Sequence, residues 1–271
     1  MTKITAYHAL GVTMEHSITQ TPKQKDFPMH THQECELYCF ISGKGVFHIE
    51  GTSYTLKPGD ILVMNNTESH YIEIDPALPY ERFVVHFKKD FIKGVDTEGR
   101  LLSVFEQRMP GKNNQFRKEH FEGKLHSLLL QSILSSLETN KTQAEICFFA
   151  LLCEVANAFC KTILEDDEAV ETQVNQIIGY ILENLDRPFS LDDICNAFFL
   201  CKSQLCRMFK RATGSTVWNY VTVKRLTLAR ELLEAGAIPT QVYLRCGFVD
   251  YSGFYRAYKK QFGTSPKRKG S

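Results

Sequence analysis

The chain has 271 residues, 43% of them hydrophobic, with 32 Lys and Arg against 31 Asp and Glu. That length is too great for one ordinary small domain and comfortable for two. A mean hydropathy of −0.23, with no run of about 18 or more apolar residues, indicates no membrane span. The opening Met1-Thr-Lys-Ile-Thr-Ala-Tyr7 lacks the long apolar core of a signal peptide, which points to a cytoplasmic protein. The net charge of +1 hides an asymmetry. Residues 173–271 hold 15 Lys and Arg against 7 Asp and Glu, while residues 1–172 hold 17 against 24. A basic C-terminal third on an acidic body suits a nucleic-acid-binding module joined to a part that must not bind nucleic acid. The nine cysteines contain no C-x-x-C pair, and most sit among apolar residues, as reduced core thiols do.

From Phe27 to Phe87 short alternating runs are broken by turn residues. Glu36–Ile41, Val46–Glu50, Ile61–Met64 and His70–Ile74 read as strands, separated by Ser42-Gly-Lys-Gly45, Gly51-Thr-Ser53 and Lys57-Pro-Gly-Asp60. Short strands at 8–12-residue spacing predict a small antiparallel barrel or sandwich. His30, His32 and Glu36 have the even spacing that places side chains on one strand face, and His70 opens a later strand. His48 and His86 also fall on predicted strands and read as surface or satisfied core residues.

The pattern His30-x-His32-x-x-x-Glu36, Gly43, Pro58-Gly59-Asp60 and His70 resembles the cupin barrel over about 60 residues. It departs from the second cupin motif at Asn65-Asn66-Thr67, where a Pro-x-Gly turn is usual. The resemblance implies a small-molecule pocket lined by His30, His32, Glu36, Tyr38 and His70, with no cofactor expected. In metal cupins such positions supply three imidazoles and one carboxylate to a divalent metal. A metal on His30, His32, Glu36 and His70 is therefore the alternative.

Residues 88–114 read as a loop-rich connector with a short helix near Leu101–Phe105. Phe121, Leu125, Leu128, Leu129, Ile133 and Leu137 then follow the 3–4 spacing of one helix face, and Thr142–Leu164 reads as a deeply buried helix. Such a pair serves either internal packing or a homodimer interface. The acidic stretch Glu165-Asp-Asp-Glu168 is the expected linker.

The C-terminal third carries one pattern twice: a short apolar helix, a tight break, and a helix with basic residues on its open face. The first copy runs from Ser190 to Gly214, with Ser190 and Asp193 forming an N-terminal capping pair. On its second helix, Lys202–Ala212, Leu205, Met208 and Phe209 read as core, and Ser203, Gln204, Arg207, Lys210 and Arg211 face out. The second copy runs from Pro239 to Gly263, with Asp250 as cap of the helix Tyr251–Phe262. There Tyr251, Ser252, Gly253, Arg256, Lys259 and Lys260 are the candidate DNA contacts. Between the copies, Val217–Glu234 reads as one uninterrupted helix without Pro or Gly. Two helix-turn-helix units joined rigidly suit the reading of two turns of DNA. Arginine near the start of such a helix can grip guanine O6 and N7, while lysines toward its end suit phosphates.

Gly214, Tyr220, Arg225-Leu226, Ala229, Leu232-Leu233, Gly247-Phe248, Phe254, Arg256, Lys259, Gly263 and Ser265-Pro266 match the signature of the AraC/XylS family of bacterial transcription regulators over about 95 residues. The resemblance implies a bipartite DNA-binding domain whose two recognition helices enter successive major grooves about 34 Å apart. It further implies that the cupin-like part is the effector-binding and dimerisation domain. Cys201 stands where a capping Ser is usual, Pro239 and Tyr243 replace a customary Ile and Ala, and Lys267-Arg-Lys-Gly270 replaces the usual ending. These departures favour base reading by the first unit over the second.

The expected architecture is α+β in two domains. Residues 1–164 form a cupin-like β-barrel (about 20–90) with appended helices (about 115–164). Residues 165–172 form the linker, and 173–271 the all-α DNA-binding domain. The expected function is a ligand-responsive, cytoplasmic transcription regulator and not an enzyme: an activator of carbohydrate or related genes, dimeric, acting on promoter DNA and RNA polymerase. The alternative is a metal-dependent cupin enzyme fused to a DNA-binding module.

Overall fold

The computed structural model describes residues 2–165 and 173–267. It divides the chain into two compact units with the boundary between residues 170 and 171. The expected linker therefore lies almost wholly outside the described residues, as does the ending beyond Lys267.

The first unit is built on nine strands: β1 (Thr2–Ala9), β2 (Val12–Thr19), β3 (Cys35–Ser42), β4 (Gly45–Ile49), β5 (Thr52–Thr55), β6 (Ile61–Met64), β7 (His70–Ile74), β8 (Tyr80–Phe87) and β9 (Gln115–Phe116). They form an antiparallel six-stranded sheet in the order β1-β2-β8-β3-β6-β9 and a three-stranded sheet β5-β4-β7. The strand region starts earlier than the expected residue 20. β1 and β2 form a hairpin turned at Leu10-Gly11, where Gly11 adopts φ 86°, and β2 pairs with β8 along its whole length. The polar outer face of β1, with only Tyr7 buried in it, hides this strand from a hydrophobic-pattern reading.

The central strands of the larger sheet are covered on both faces, which explains why Cys35 to Phe40 of β3 are buried in succession. One face presents Cys35, Leu37, Cys39, Phe83, Val85 and Phe87 to a set of helices. These are α1 (Lys89–Lys93), α2 (Arg100–Glu106), α3 (Leu125–Ser136) and α4 (Lys141–Glu165). Phe87 meets Phe105 and Phe148 with ring centroids 5.2 and 5.6 Å apart, and truncating such a ring costs about 3–5 kcal/mol. The other face presents Tyr38, Phe40, Tyr80 and Val84 toward Phe47, Ile49 and Ile72 of the smaller sheet. Strand alternation thus sends every second residue of β3 and β8 into the space between the sheets.

By length and composition α4 reaches the apolarity of a membrane span, contrary to the reading from residue runs. Its Phe148, Leu151, Leu152, Val155 and Phe159 are fully buried in the core just described, so its hydropathy is that of a core helix. The cysteines divide more evenly than expected: Cys35, Cys39, Cys195 and Cys246 are buried, Cys153, Cys160, Cys201 and Cys206 exposed, and Cys147 intermediate.

The second unit consists of α5 (Gln173–Glu183), α6 (Leu191–Phe198), α7 (Lys202–Thr213), α8 (Val217–Glu234), α9 (Pro239–Arg245) and α10 (Tyr251–Phe262). Local chemistry sets the ends. Ser190 and Asp193 cap α6 reciprocally, Thr216 caps α8, and Asp250 caps α10 through the N–H of Gly253. Gly214 and Gly263 close α7 and α10 at φ 68° and 70°. Pro239 fits because it stands in the first turn of α9, where no amide bond is lost. Two cores result. Ile177, Ile181, Ile194, Leu205, Phe209 and Tyr220 form one; Leu226, Leu233, Val242, Phe254 and Tyr258 form the other. The helix α8 contributes to both.

Candidate effector cavity and DNA-reading helices

Between the two sheets of the first unit lies a cavity of about 320 Å³. At one end stands Glu36, buried at 4% exposure, placed by β3 directly opposite His86 of β8. Three imidazole Nε2 atoms converge on its Oε2: His32 at 2.6 Å, His70 at 3.3 Å and His86 at 3.3 Å. His30 completes the group, its ring 4.4 Å from that of His70. His30 and His32 do not lie on a regular strand as expected. They occupy the segment before β3, with His30 joined to the start of β7 by an isolated bridge to His70. The convergence survives because that segment folds against the start of β7.

The outer nitrogens fix the chemistry of the inner ones. Nδ1 of His30 lies 3.0 Å from the carbonyl of Pro28, that of His32 2.7 Å from Glu34, and that of His70 2.9 Å from Glu68. A carbonyl only accepts, so each Nδ1 donates outward, and the Nε2 atoms of His32 and His70 are left to face Glu36. Burial alone would raise the Glu36 pKa. The charge on His70 and the bonds from His32, His70 and His86 outweigh it and hold the carboxyl well below its usual range. His86 moves the other way: burial opposes its charge, but the bond to Glu36 raises it. His30 is exposed at the rim, yet loss of water around its ring and the neighbouring His70 push it down to about 4. His86, expected as a surface or satisfied core residue, is paired with Glu36 and also lines the cavity.

Tyr38, expected as a ligand contact, lines the same cavity and shares a 2.7 Å hydroxyl–hydroxyl bond with Tyr80. Arg82, which the sequence reading did not single out, also lines it and donates to the Tyr80 hydroxyl at 3.3 Å. The alternation Tyr80, Arg82, Val84, His86 was the available signal for both missed residues.

In the second unit α7 exposes Ser203, Gln204, Arg207, Lys210 and Arg211 and buries Leu205 and Phe209; Met208 is half-buried. The N-cap lacking an oxygen is compensated. Gln204 accepts the Cys201 N–H at 3.1 Å, and the Ser203 hydroxyl meets Cys201 Sγ at 3.1 Å. An ion pair from Lys202 to Asp192 at 2.8 Å links α7 to α6. In α10, Ser252, Arg256, Lys259 and Lys260 are exposed. Tyr251 is half-buried against Tyr243, their centroids 5.8 Å apart, which accommodates Tyr243 as a packing residue. A Cβ on Gly253 would sit 2.9 Å from the capping carboxylate of Asp250, so a larger residue there would need that side chain to shift.

A model of the AraC-like ligand binding domain matches residues 16–145, and a helix-turn-helix domain model matches 194–269. The transcriptional activator RhaS of Escherichia fergusonii is 25% identical over 254 residues, 90% of this chain and 87% of its own length. The transcriptional activator RhaR of Mannheimia succiniciproducens is 23% identical over 270 residues, 96% of this chain and 94% of its own.

Proposed function

The chain belongs to the AraC family of transcription regulators, a ligand-binding domain followed by a helix-turn-helix DNA-binding domain, and on that premise we propose how its two sites divide the work. A small hydroxylated metabolite enters the cavity and is held by His30, His32, Glu36, Tyr38 and His70. Its binding shifts the population between arrangements in which the second unit is available or unavailable to promoter DNA. Such a shift requires only that the effector bind one arrangement more tightly. The observation that carries this reading is the convergence of three imidazoles on the buried Glu36 at one end of a cavity.

On DNA, Arg207 and Arg256 read base edges, with Ser203, Gln204, Tyr251, Ser252 and Gly253 beside them. Lys210, Arg211, Lys259 and Lys260 hold phosphates. The protein acts in the cytoplasm as a homodimer and recruits RNA polymerase as an activator. We read it as a regulator and not an enzyme, because both domain models that match it and the relatives RhaS and RhaR are those of transcription regulators.

A divalent cation fits the same residues. One donor atom from each of His30, His32, Glu36 and His70 lies within 4.8 Å of the others, and the Nδ1–H bonds to carbonyls are the outer support that imidazole ligands require. These four residues would hold the ion, and it would supply Lewis-acid coordination to an effector hydroxyl. Elemental analysis of the purified protein distinguishes the two states of the site.

The test is a thermal-shift screen of sugars and related metabolites against the full chain. A cavity ligand raises the unfolding midpoint in proportion to RT ln(1 + [L]/Kd), loses that effect in His70→Ala, and changes promoter affinity. A ligand that stabilises the first unit but leaves DNA binding unchanged contradicts the reading.

A further inference from the structure

Strand β8 sends Tyr80, Arg82, Val84 and His86 into the cavity. His86 belongs to the Glu36 cluster. Arg82, four residues away on the same strand face, stands roughly 13 Å further along. Val84, Phe47 and Ile72 line the cavity as well. The cavity therefore has a cationic end, an imidazole–carboxylate end and an apolar stretch of wall.

The guanidinium of Arg82 is arranged to receive a planar oxyanion. The rings of Phe27 and Tyr80 flank it, each centroid 5.4 Å from Cζ. Nη1 is used, donating to the Tyr80 hydroxyl. The opposite edge, formed by Nε and Nη2, is one that grips a carboxylate with two parallel bonds. On that edge Nε is buried without a hydrogen-bond partner. Nη2 is 3.9 Å from Oε1 of Glu15, beyond hydrogen-bond length. A buried donor left unpaired is costly and calls for an occupant. Glu15 is a third exposed, at 33%, and is free to turn to water when a closer anion arrives.

We propose that the effector is an acid of sugar size. Its carboxylate seats on the Nε–Nη2 edge of Arg82 in place of Glu15, and its hydroxyls reach the Glu36 cluster. This deepens, and rests on, the reading of the cavity as the effector site. A neutral sugar leaves the Arg82 edge unpaired, so the cavity discriminates by charge as well as by hydroxyl pattern.

Matched pairs test it on the full chain: glucuronate against glucose, galacturonate against galactose, and gluconate against glucitol, each at equal concentration. The expected result is a raised unfolding midpoint with at least one acid and none with its neutral partner. Arg82→Gln then weakens that acid by about tenfold or more, Arg82→Lys less, since it keeps the charge and loses the fork. Glu15→Gln strengthens it, because the competing carboxylate is gone. Should Arg82→Gln fail to fold, as judged by its midpoint without ligand, Glu15→Gln decides: unchanged or weaker acid binding overturns the exchange. A neutral partner that stabilises as well as its acid overturns the proposal and leaves the effector reading standing. No shift with any of the six overturns the proposal and counts equally against that reading.

Discussion

Nη1 of Arg225 donates to the carbonyl of Gly247 at 2.7 Å. The same guanidinium donates from Nε to Leu185 at 3.0 Å and from Nη2 to Arg187 at 2.8 Å. One side chain of α8 therefore ties the loop before the first helix-turn-helix to the turn inside the second. Gly247 is required for the fit: it adopts φ 70°, and a Cβ there would meet the Leu185 carbonyl oxygen at 2.4 Å. Arg225→Gln is predicted to destabilise the second unit by about 3 kcal/mol, the scale of lost charge-assisted bonds with acceptors left behind. Its DNA affinity should fall alike on every sequence, measured by titration of matched and scrambled sites. Gly247→Ala should do the same through strain and clash.

Phe199 closes α6 in the left-handed conformation, φ 54°, with its side chain 95% exposed. A non-glycine residue there carries about 1–2 kcal/mol of backbone strain, and this ring recovers nothing by burial. Phe199→Gly is predicted to stabilise the second unit by about 1 kcal/mol, less than the full strain because glycine also loosens the unfolded chain. Denaturant unfolding followed on that unit checks the sign.

Glu68 is buried with Arg108, which donates to it at 2.8 Å, and it also accepts from the amides of Asn65 and Gly111 and the side chain of Asn114. Burial alone would raise its pKa, but the Arg108 charge and these donors hold it below its ordinary 4.5. A carboxyl lowered in the folded state contributes stability that is complete above about pH 4.5 and is lost as pH falls through the folded value. Glu68→Gln is therefore predicted to cost about 3–5 kcal/mol at pH 7, as breaking a buried pair does. It should also flatten the acid limb of the first unit's stability curve. An unaltered acid limb would place the acid sensitivity elsewhere.

The second unit was largely legible in the sequence because its ends are written in local chemistry. Ser190, Asp250, Gly214 and Gly263 sit where the helices α6, α10 and α7 begin or end, and the spans Leu191–Phe198, Val217–Glu234 and Tyr251–Phe262 match the expected ones. The cavity was only half legible. His30, His32 and Glu36 are neighbours in the chain, so their spacing carries a signal. His86 meets Glu36 only through the β3–β8 register, which joins residues 50 apart, and a lone histidine in a strand announces no such partner. Arg82 was missed for the same reason. The compensation for Cys201 lies three residues away in Gln204, whose side chain accepts the Cys201 N–H, and so it does not show in the identity of the cap residue itself.

On the proposal above, one chain presents two base-reading helices, α7 and α10, to successive turns of DNA. Binding-site selection with the full-length protein, repeated with Arg207→Ala, Arg256→Ala and Lys210→Ala, tests it most directly. Two preferred sequence blocks per protomer, centred about 10 base pairs apart, are the expected result. Arg207→Ala should erase preference within one block and Arg256→Ala within the other, each at about 1–3 kcal/mol, while Lys210→Ala lowers affinity evenly and reduces the salt dependence. A single block, or blocks unchanged by both arginine substitutions, would contradict it.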